Sequence, residues 1–112
     1  MTTLNYKELI SLPEDFDHSS VIKIDIRDCK LKSLIELKLE RFTNLQQLDC
    51  SLNNLKNLDC LSNRISLQEL SCYNNKLKNL DCLSNCTSLQ KLICSNNKLS
   101  NLDCLSNCTS LQ

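Results

Sequence analysis

The sequence predicts an α/β solenoid, with a parallel sheet on its concave side and an irregular or 3₁₀ return on its convex side. Three observations lead there. The chain repeats every 22 residues, its apolar residues keep their place from block to block, and each block opens with apolar–polar alternation.

The period comes first. Residues 45–66 read LQQLDCSLNNLKNLDCLSNRIS, residues 67–88 read LQELSCYNNKLKNLDCLSNCTS, and residues 89–110 read LQKLICSNNKLSNLDCLSNCTS. The last two blocks agree at 18 of 22 positions, and Leu111 opens a further block. A divergent first block spans residues 21–44. Its Val21, Ile24, Ile26, Cys29, Leu31 and Leu34 stand where Leu45, Leu48, Cys50, Asn53, Leu55 and Leu58 stand in the second. It is two residues longer in its descending half, where Leu37 and Phe42 are expected to point inward.

The apolar columns follow from packing. Leu48-Asp49-Cys50-Ser51 alternates as a half-buried strand does. Stacked blocks would pair these strands in parallel at about 4.8 Å, and the remainder would return by turns and 3₁₀ pieces. A single block cannot bury its apolar face, so neighbouring coils must supply the cover.

The ends differ. Residues 1–20 lack the period and are expected to cap the first coil. Asn5-Tyr6-Lys7-Glu8 fits a capping box, with Leu9, Ile10 and Leu12 behind it, and Pro13-Glu14-Asp15 is expected to end the helix. The C-terminal coil has no such cover. Its open edge would either continue into a longer array or be covered by a partner or a second copy, which makes self-association through this edge an expectation.

The shared frame, L-x-x-L-x-C-x-x-N-x-L-x-x-L-x-x-L, resembles the leucine-rich-repeat family across residues 21–112. Its spacing is similar to the short class of internalins and of a regulatory subunit of protein phosphatase one. The Cys- and Asn-rich blocks more weakly resemble repeat proteins of giant DNA viruses and some low-GC microbes. The resemblance implies a right-handed superhelix. It also assigns Asn53, Asn75 and Asn97 to a ladder that bonds the backbone of adjacent coils, with Cys29 in that place in the first block. A buried turn without such partners would be costly. Function does not follow from this fold, which hosts many unrelated binders.

Composition narrows the classes further. Thirteen basic and thirteen acidic residues cancel, which argues against a general nucleic-acid or anionic-membrane binder. No segment has the roughly 18 apolar residues of a membrane span, and the first residues do not read as a signal peptide. A cytoplasmic protein is the expectation. Glycine is absent, so Asn and Ser must make the chain reversals. The same absence rules out a glycine-rich phosphate loop.

Eight of the nine cysteines fall in three columns, and Cys29 stands in the Asn column. Cys50, Cys72 and Cys94 share one, with Ile26 beside them, and Cys86 and Cys108 share a second, where Arg64 stands in the second block. Both match Leu or Ile positions of the frame and are read as small buried hydrophobes. The third, Cys60, Cys82 and Cys104, is expected to be less buried. An odd count in columns does not suit a secreted disulfide framework. Cys82-x-x-x-Cys86 and Cys104-x-x-x-Cys108 invite a zinc or redox reading, but C-x-x-C pairs are missing and the one histidine, His18, lies outside the repeats. Asp59, Asp81 and Asp103 form a like-charge ladder that Lys56 and Lys78 could offset. No cofactor, metal site or catalytic residue is expected.

Comparing the blocks with one another points to a surface. Between residues 67–88 and 89–110 only Glu69/Lys91, Ser71/Ile93, Tyr73/Ser95 and Lys78/Ser100 differ. The first three pairs are alternate residues opposite the inward Leu70 and Cys72, so they face the concave side. Gln47, Asp49 and Ser51 vary at the same places, and Lys23, Asp25 and Arg27 extend the set to the first coil. The convex Asn-Leu-Asp-Cys-Leu-Ser-Asn segment stays constant over three blocks. Two explanations are open: the concave face reads a partner, or the convex polar residues are structurally fixed while the strand face is free.

A non-catalytic protein-interaction module follows as the main reading, with those twelve residues as contacts. Tyr73 and Ile93 would be its anchors, since an outward aromatic and an outward Ile are unusual on a polar face. Lys30, Lys76 and Lys98, with Lys32, Lys56 and Lys78, form a basic stripe beside it that could steer an acidic partner or serve as a solvated edge. The alternatives are a cysteine-based redox or metal-handling protein and a structural segment of a longer array.

Overall fold

The computed structural model describes residues 2–62 and 64–100. The further block opening at Leu111, the Asp103, Cys104 and Cys108 positions, and the expected open C-terminal edge lie outside the described residues.

A parallel sheet of strands in sequential order, β1 to β5, forms one wall of the described chain. They span Thr2–Asn5 (β1), Val21–Asp25 (β2), Gln47–Asp49 (β3), Glu69–Ser71 (β4) and Lys91–Ile93 (β5). Sequential order and parallel direction together require one full coil between neighbours, which is a solenoid. The register repeats without slippage from β2 onward: Ile24 pairs with Leu48, Leu48 with Leu70, and Leu70 with Leu92. The descending side carries 3₁₀ turns at Ile35–Leu37, Leu39–Arg41, Asp59–Leu61 and Asp81–Asn85.

The core is a column stack. Leu48, Leu55, Leu58 and Leu61 of one coil lie under Leu70, Leu77, Leu80 and Leu83 of the next, all 2 % exposed or less. Ile26, Cys50 and Cys72 are fully buried, and Cys86 also has no exposure. In the longer first block Leu37 and Phe42 are buried, and the extra length places Leu39 in the core as well.

Each coil turns at the same point. After the strand, Asp28, Leu52, Asn74 and Asn96 take left-handed backbone, with φ of 52, 57, 55 and 56°. Asp and Asn accept this geometry because a short polar side chain bonds locally, and Leu does not. The next residue is Cys29 in the first coil and the inward Asn in the other three. The amide nitrogen of Asn53 donates to the Ile26, Cys50 and Ser51 carbonyls at 3.0, 2.9 and 3.1 Å. Its oxygen accepts from the Cys29 and Leu31 N–H at 3.1 and 2.9 Å. Asn75 donates to Cys50 and Cys72 and accepts from Leu55 N–H at 2.9 Å. Asn97 repeats the pattern with Cys72, Cys94 and Leu77. Each side chain ties its own turn to the coil before it, and Asn53 and Asn75 are 7 % and 8 % exposed.

The N-terminal segment differs from expectation. It contributes a strand: β1 pairs with β2 through Leu4–Ile24 and Asn5–Asp25. Helix α1, Tyr6–Leu9, follows, and the Asn5–Glu8 capping box is formed at 2.9 and 3.0 Å. It stops before Pro13. Ile10 closes the turn, and the Ser11 hydroxyl donates to the Lys7 carbonyl at 2.9 Å, taking up an orphan helix-end acceptor. His18 stands edge-on between Phe16 and the buried Phe42, with ring centroids 5.3 and 5.1 Å apart.

Candidate functional site

Register turns the outward strand residues into rows. Lys23, Gln47, Glu69 and Lys91 form the first row, and Asp25, Asp49, Ser71 and Ile93 the second. Arg27, Ser51, Tyr73 and Ser95 follow just past the strand ends. A hollow of ≈ 280 Å³ opens on this face. It is lined by Lys23, Arg27, Gln47, Asp49, Glu69, Ser71, Tyr73, Lys91 and Ile93, together with Leu48 and Leu70. Nine of the twelve residues nominated from sequence are therefore gathered in one place. Asp25, Ser51 and Ser95 are not among them.

Ser51 is corrected by the structure. It is fully buried, so it cannot meet a partner. Tyr73 and Ser95, at the same place in the following coils, stay half-buried and exposed, so the burial is particular to this coil's short side chain. The Ser51 hydroxyl bonds the Ser71 hydroxyl at 2.7 Å, between two coils. Ser95, in the same row one coil beyond Tyr73, is exposed.

The two halves of the face differ in charge and polarity. At the N-terminal end, Asp25 and Asp49 lie opposite one another on paired strands, an arrangement that repels unless offset. The Arg27 guanidinium sits 3.3 Å from each carboxylate. Asp25, Asp49 and then the nearby Tyr73 phenol hold its charge more firmly than usual. Both carboxylates also accept backbone N–H groups two residues on, from Arg27 at 3.2 Å and Ser51 at 3.1 Å. Asp25 and Asp49 thus brace the strand ends, a role that sequence reasoning missed. At the C-terminal end, Tyr73 is half-buried and Ile93 is 40 % exposed.

The convex segment has its own bonding. Asn57 and Asn79 side chains accept the Asp59 and Asp81 N–H at 3.2 and 3.1 Å, opening the 3₁₀ turn in each coil. The Ser62 hydroxyl donates back to the Asp59 carbonyl at 2.9 Å. Constancy there has a structural cause. Lys56 and Lys78 do not offset Asp59 and Asp81: among the described residues the ion pairs are those of Arg27.

Among the described residues, five thiols are held in the protonated form by their surroundings. Burial pushes Cys72 up to about 12, with Cys94 and Cys82 adding to the effect. Burial and then Glu40 push Cys60 up to about 11, and Cys50 is raised well above the thiol range. Cys29 and Cys94 are also raised, mainly by desolvation. A thiolate nucleophile or ligand needs the opposite shift. Among the described residues no three His, Cys, Asp or Glu side chains gather as a metal site would need. Arg64, in the Cys86 column, reaches back to the first block, donating to the Phe42 carbonyl and, at 3.3 Å, to that of Glu40. Burial lowers its pKa.

One further residue escaped the sequence reading. Leu52 occupies the left-handed column that is otherwise Asp28, Asn74 and Asn96, and it is 40 % exposed. The misfit is visible in the aligned blocks themselves.

Comparison with known proteins agrees with this geometry. A family pattern described as leucine-rich repeats (2 copies) matches residues 65–107. No curated protein sequence matches the chain. An internalin (InlF) from Listeria monocytogenes str. 4b F2365 superposes with a TM-score of 0.77 at 26 % identity, over 84 % of this chain and 27 % of that one. Internalin C2 (InlC2) of the same strain gives 0.68 at 21 % identity, over 83 % of this chain and 50 % of that one. The chain therefore spans about a quarter of the first internalin and half of the second.

Proposed function

Because the chain carries leucine-rich repeats, we propose that it is a non-catalytic module that binds a protein partner on its concave sheet. Leucine-rich repeats generally mediate protein–protein interaction, and the concave site is the specific step taken here. The observation that carries it is the C-terminal half of the hollow. Tyr73 and Ile93 stand outward on adjoining coils, beside Lys91 and Glu69. Exposed apolar side chains next to adaptable polar ones are the composition of an interface centre. Aromatic and aliphatic anchors of this kind contribute most of the binding energy in protein complexes, while surrounding polar contacts set register.

The chemistry elsewhere supports a binder over an enzyme. The described thiols with resolved shifts are raised, and fully buried Cys50 and Cys72 serve as core packing. Such use of cysteine suits a reducing compartment, and the cytoplasm is the proposed setting.

The test is capture of partners from the native lysate by wild-type chain and by a Tyr73→Ala/Ile93→Ala variant, compared by mass spectrometry. A protein retained by the first and lost by the second is expected. Equal recovery on both baits would remove these anchors.

A further inference from the structure

Leu52 is the starting point. In three coils the left-handed turn residue is Asp28, Asn74 or Asn96, whose short polar side chains suit positive φ. In the second coil it is Leu52, at φ 57°, with 40 % of its surface exposed. It belongs neither to the core cluster nor to the partly buried residues packed against it. A strained residue outside the core cluster is a place to look for function.

Its surroundings continue the concave site. A second hollow, of ≈ 590 Å³, opens beside Leu52; Tyr6 lines it, Lys7 and Arg27 share its lining with Asp25 and Asp28, and the lysines described next lie outside it along the rim. Arg27 lines the concave hollow as well, so the two adjoin. The rim on which Leu52 sits carries the lysine stripe. Counted along the repeat, Lys30, Lys76 and Lys98 lie two residues past the turn position, and Lys32, Lys56 and Lys78 two residues further. All six are exposed. None is in an ion pair with a described residue, whereas the neighbouring Asp25 and Asp49 are already matched by Arg27. Asp28 is the remaining acid at this rim position.

From these observations we infer that the partner is an acidic polypeptide segment that crosses the rim, seats an apolar side chain on Leu52 and Tyr6, and places its carboxylates along the lysines. The inference rests on the concave-face reading and extends that surface over the strand-end rim. Unpaired lysines supply attraction and approach rate for an acidic chain. An exposed Leu and a half-buried Tyr add apolar contact that a nucleic-acid backbone would not use. The retained strain at Leu52 is then the cost of presenting that contact.

The test exploits an opposition of signs. Leu52→Asn restores the residue of the sister coils, so it should raise the thermal midpoint while weakening binding. The probe is a display library of short random peptides selected on the immobilised full chain, with the selected peptides then synthesised. Peptides combining Asp or Glu with Leu, Ile or Phe are expected. Their affinity should fall roughly tenfold on Leu52→Asn, and fall also on Lys76→Glu. Basic or uncharged selected peptides, no selected peptides, or equal binding to Leu52→Asn would each overturn the inference. So would preferential binding of phosphatidylserine vesicles lost in Leu52→Asn, since that would assign the rim to a membrane. Peptides lost with Tyr73→Ala/Ile93→Ala but kept by Leu52→Asn would remove the rim and leave the concave site. The reverse pattern would keep the rim and remove the concave anchors.

Discussion

The concave strand positions and the convex Asn-Leu-Asp-Cys-Leu-Ser-Asn segment both carry exposed residues, yet the first vary between blocks and the second does not. On the convex side the Asn57, Asn79 and Ser62 side chains are occupied: the first two hold the 3₁₀ turns through the Asp59 and Asp81 N–H, and Ser62 bonds the Asp59 carbonyl. Substitution there would break a turn, so constancy needs no partner to explain it. On the concave side, Asp25, Asp49 and Arg27 are engaged with one another, but Lys91, Tyr73 and Ile93 support no turn. The difference teaches that variation alone does not mark a binding face. The proposed binding face rests instead on an apolar pair, Tyr73 and Ile93, left outward where the fold makes no demand for it.

The largest way to break the comparison is to remove a residue that both faces depend on. Asn75→Ala deletes side-chain bonds to Cys50, Cys72 and Leu55 and leaves those buried backbone groups unmatched. Denaturant unfolding should show a loss of about 2–4 kcal/mol. A loss below about 0.5 kcal/mol would mean that the ladder is dispensable.

The thiol columns give a pH-dependent effect of the next size. Cys72 has its folded pKa raised from 9.0 to about 12. Its contribution is therefore complete below about pH 9 and is lost as pH rises toward 12, because the unfolded thiol ionises first. Stability should fall by roughly 1–3 kcal/mol from Cys72 by about pH 11. Cys72→Ala should flatten that slope in urea titrations at pH 8 to 11 (about the working range for such titrations). An unchanged slope would show that Cys72 is not sealed from solvent in the way described.

A smaller change of opposite sign comes at the turn. Leu52→Asn should stabilise by about 1 kcal/mol, since Asn tolerates the left-handed backbone and Leu does not. A lower thermal midpoint would contradict the assignment of strain. Smallest of all should be the stability effect of Tyr73→Ala/Ile93→Ala, within about 1 kcal/mol for positions the core does not use.

Most of the coil was legible in the sequence because burial repeats. Leu columns, inward Cys50 and Cys72, and the Asn53 column recur every 22 residues, and recurrence is what a reader can detect. The parts that escaped detection are those that do not recur. Strand β1 is held by backbone pairing and a single buried residue, Leu4, so it shares no pattern with the coils. Leu39 enters the core through a two-residue extension found in one block. Ser51 departs from its column because its short side chain is closed over and bonds Ser71 of the next coil, a cross-coil contact that alternation does not report. The candidate site was legible as a row of outward positions. Its internal division was not, since the Arg27 bridge to Asp25 and Asp49 is a cross-strand contact that no local spacing reports.

The measurement that most directly tests the central claim is a binding isotherm for the captured partner against matched surface variants. Tyr73→Ala/Ile93→Ala changes the concave face, and Asp59→Ala/Asp81→Ala changes exposed convex positions of the neighbouring coils. The account predicts affinity weakened at least roughly tenfold by the first pair and unchanged by the second. Loss of affinity with the convex pair, and none with the concave pair, would contradict it.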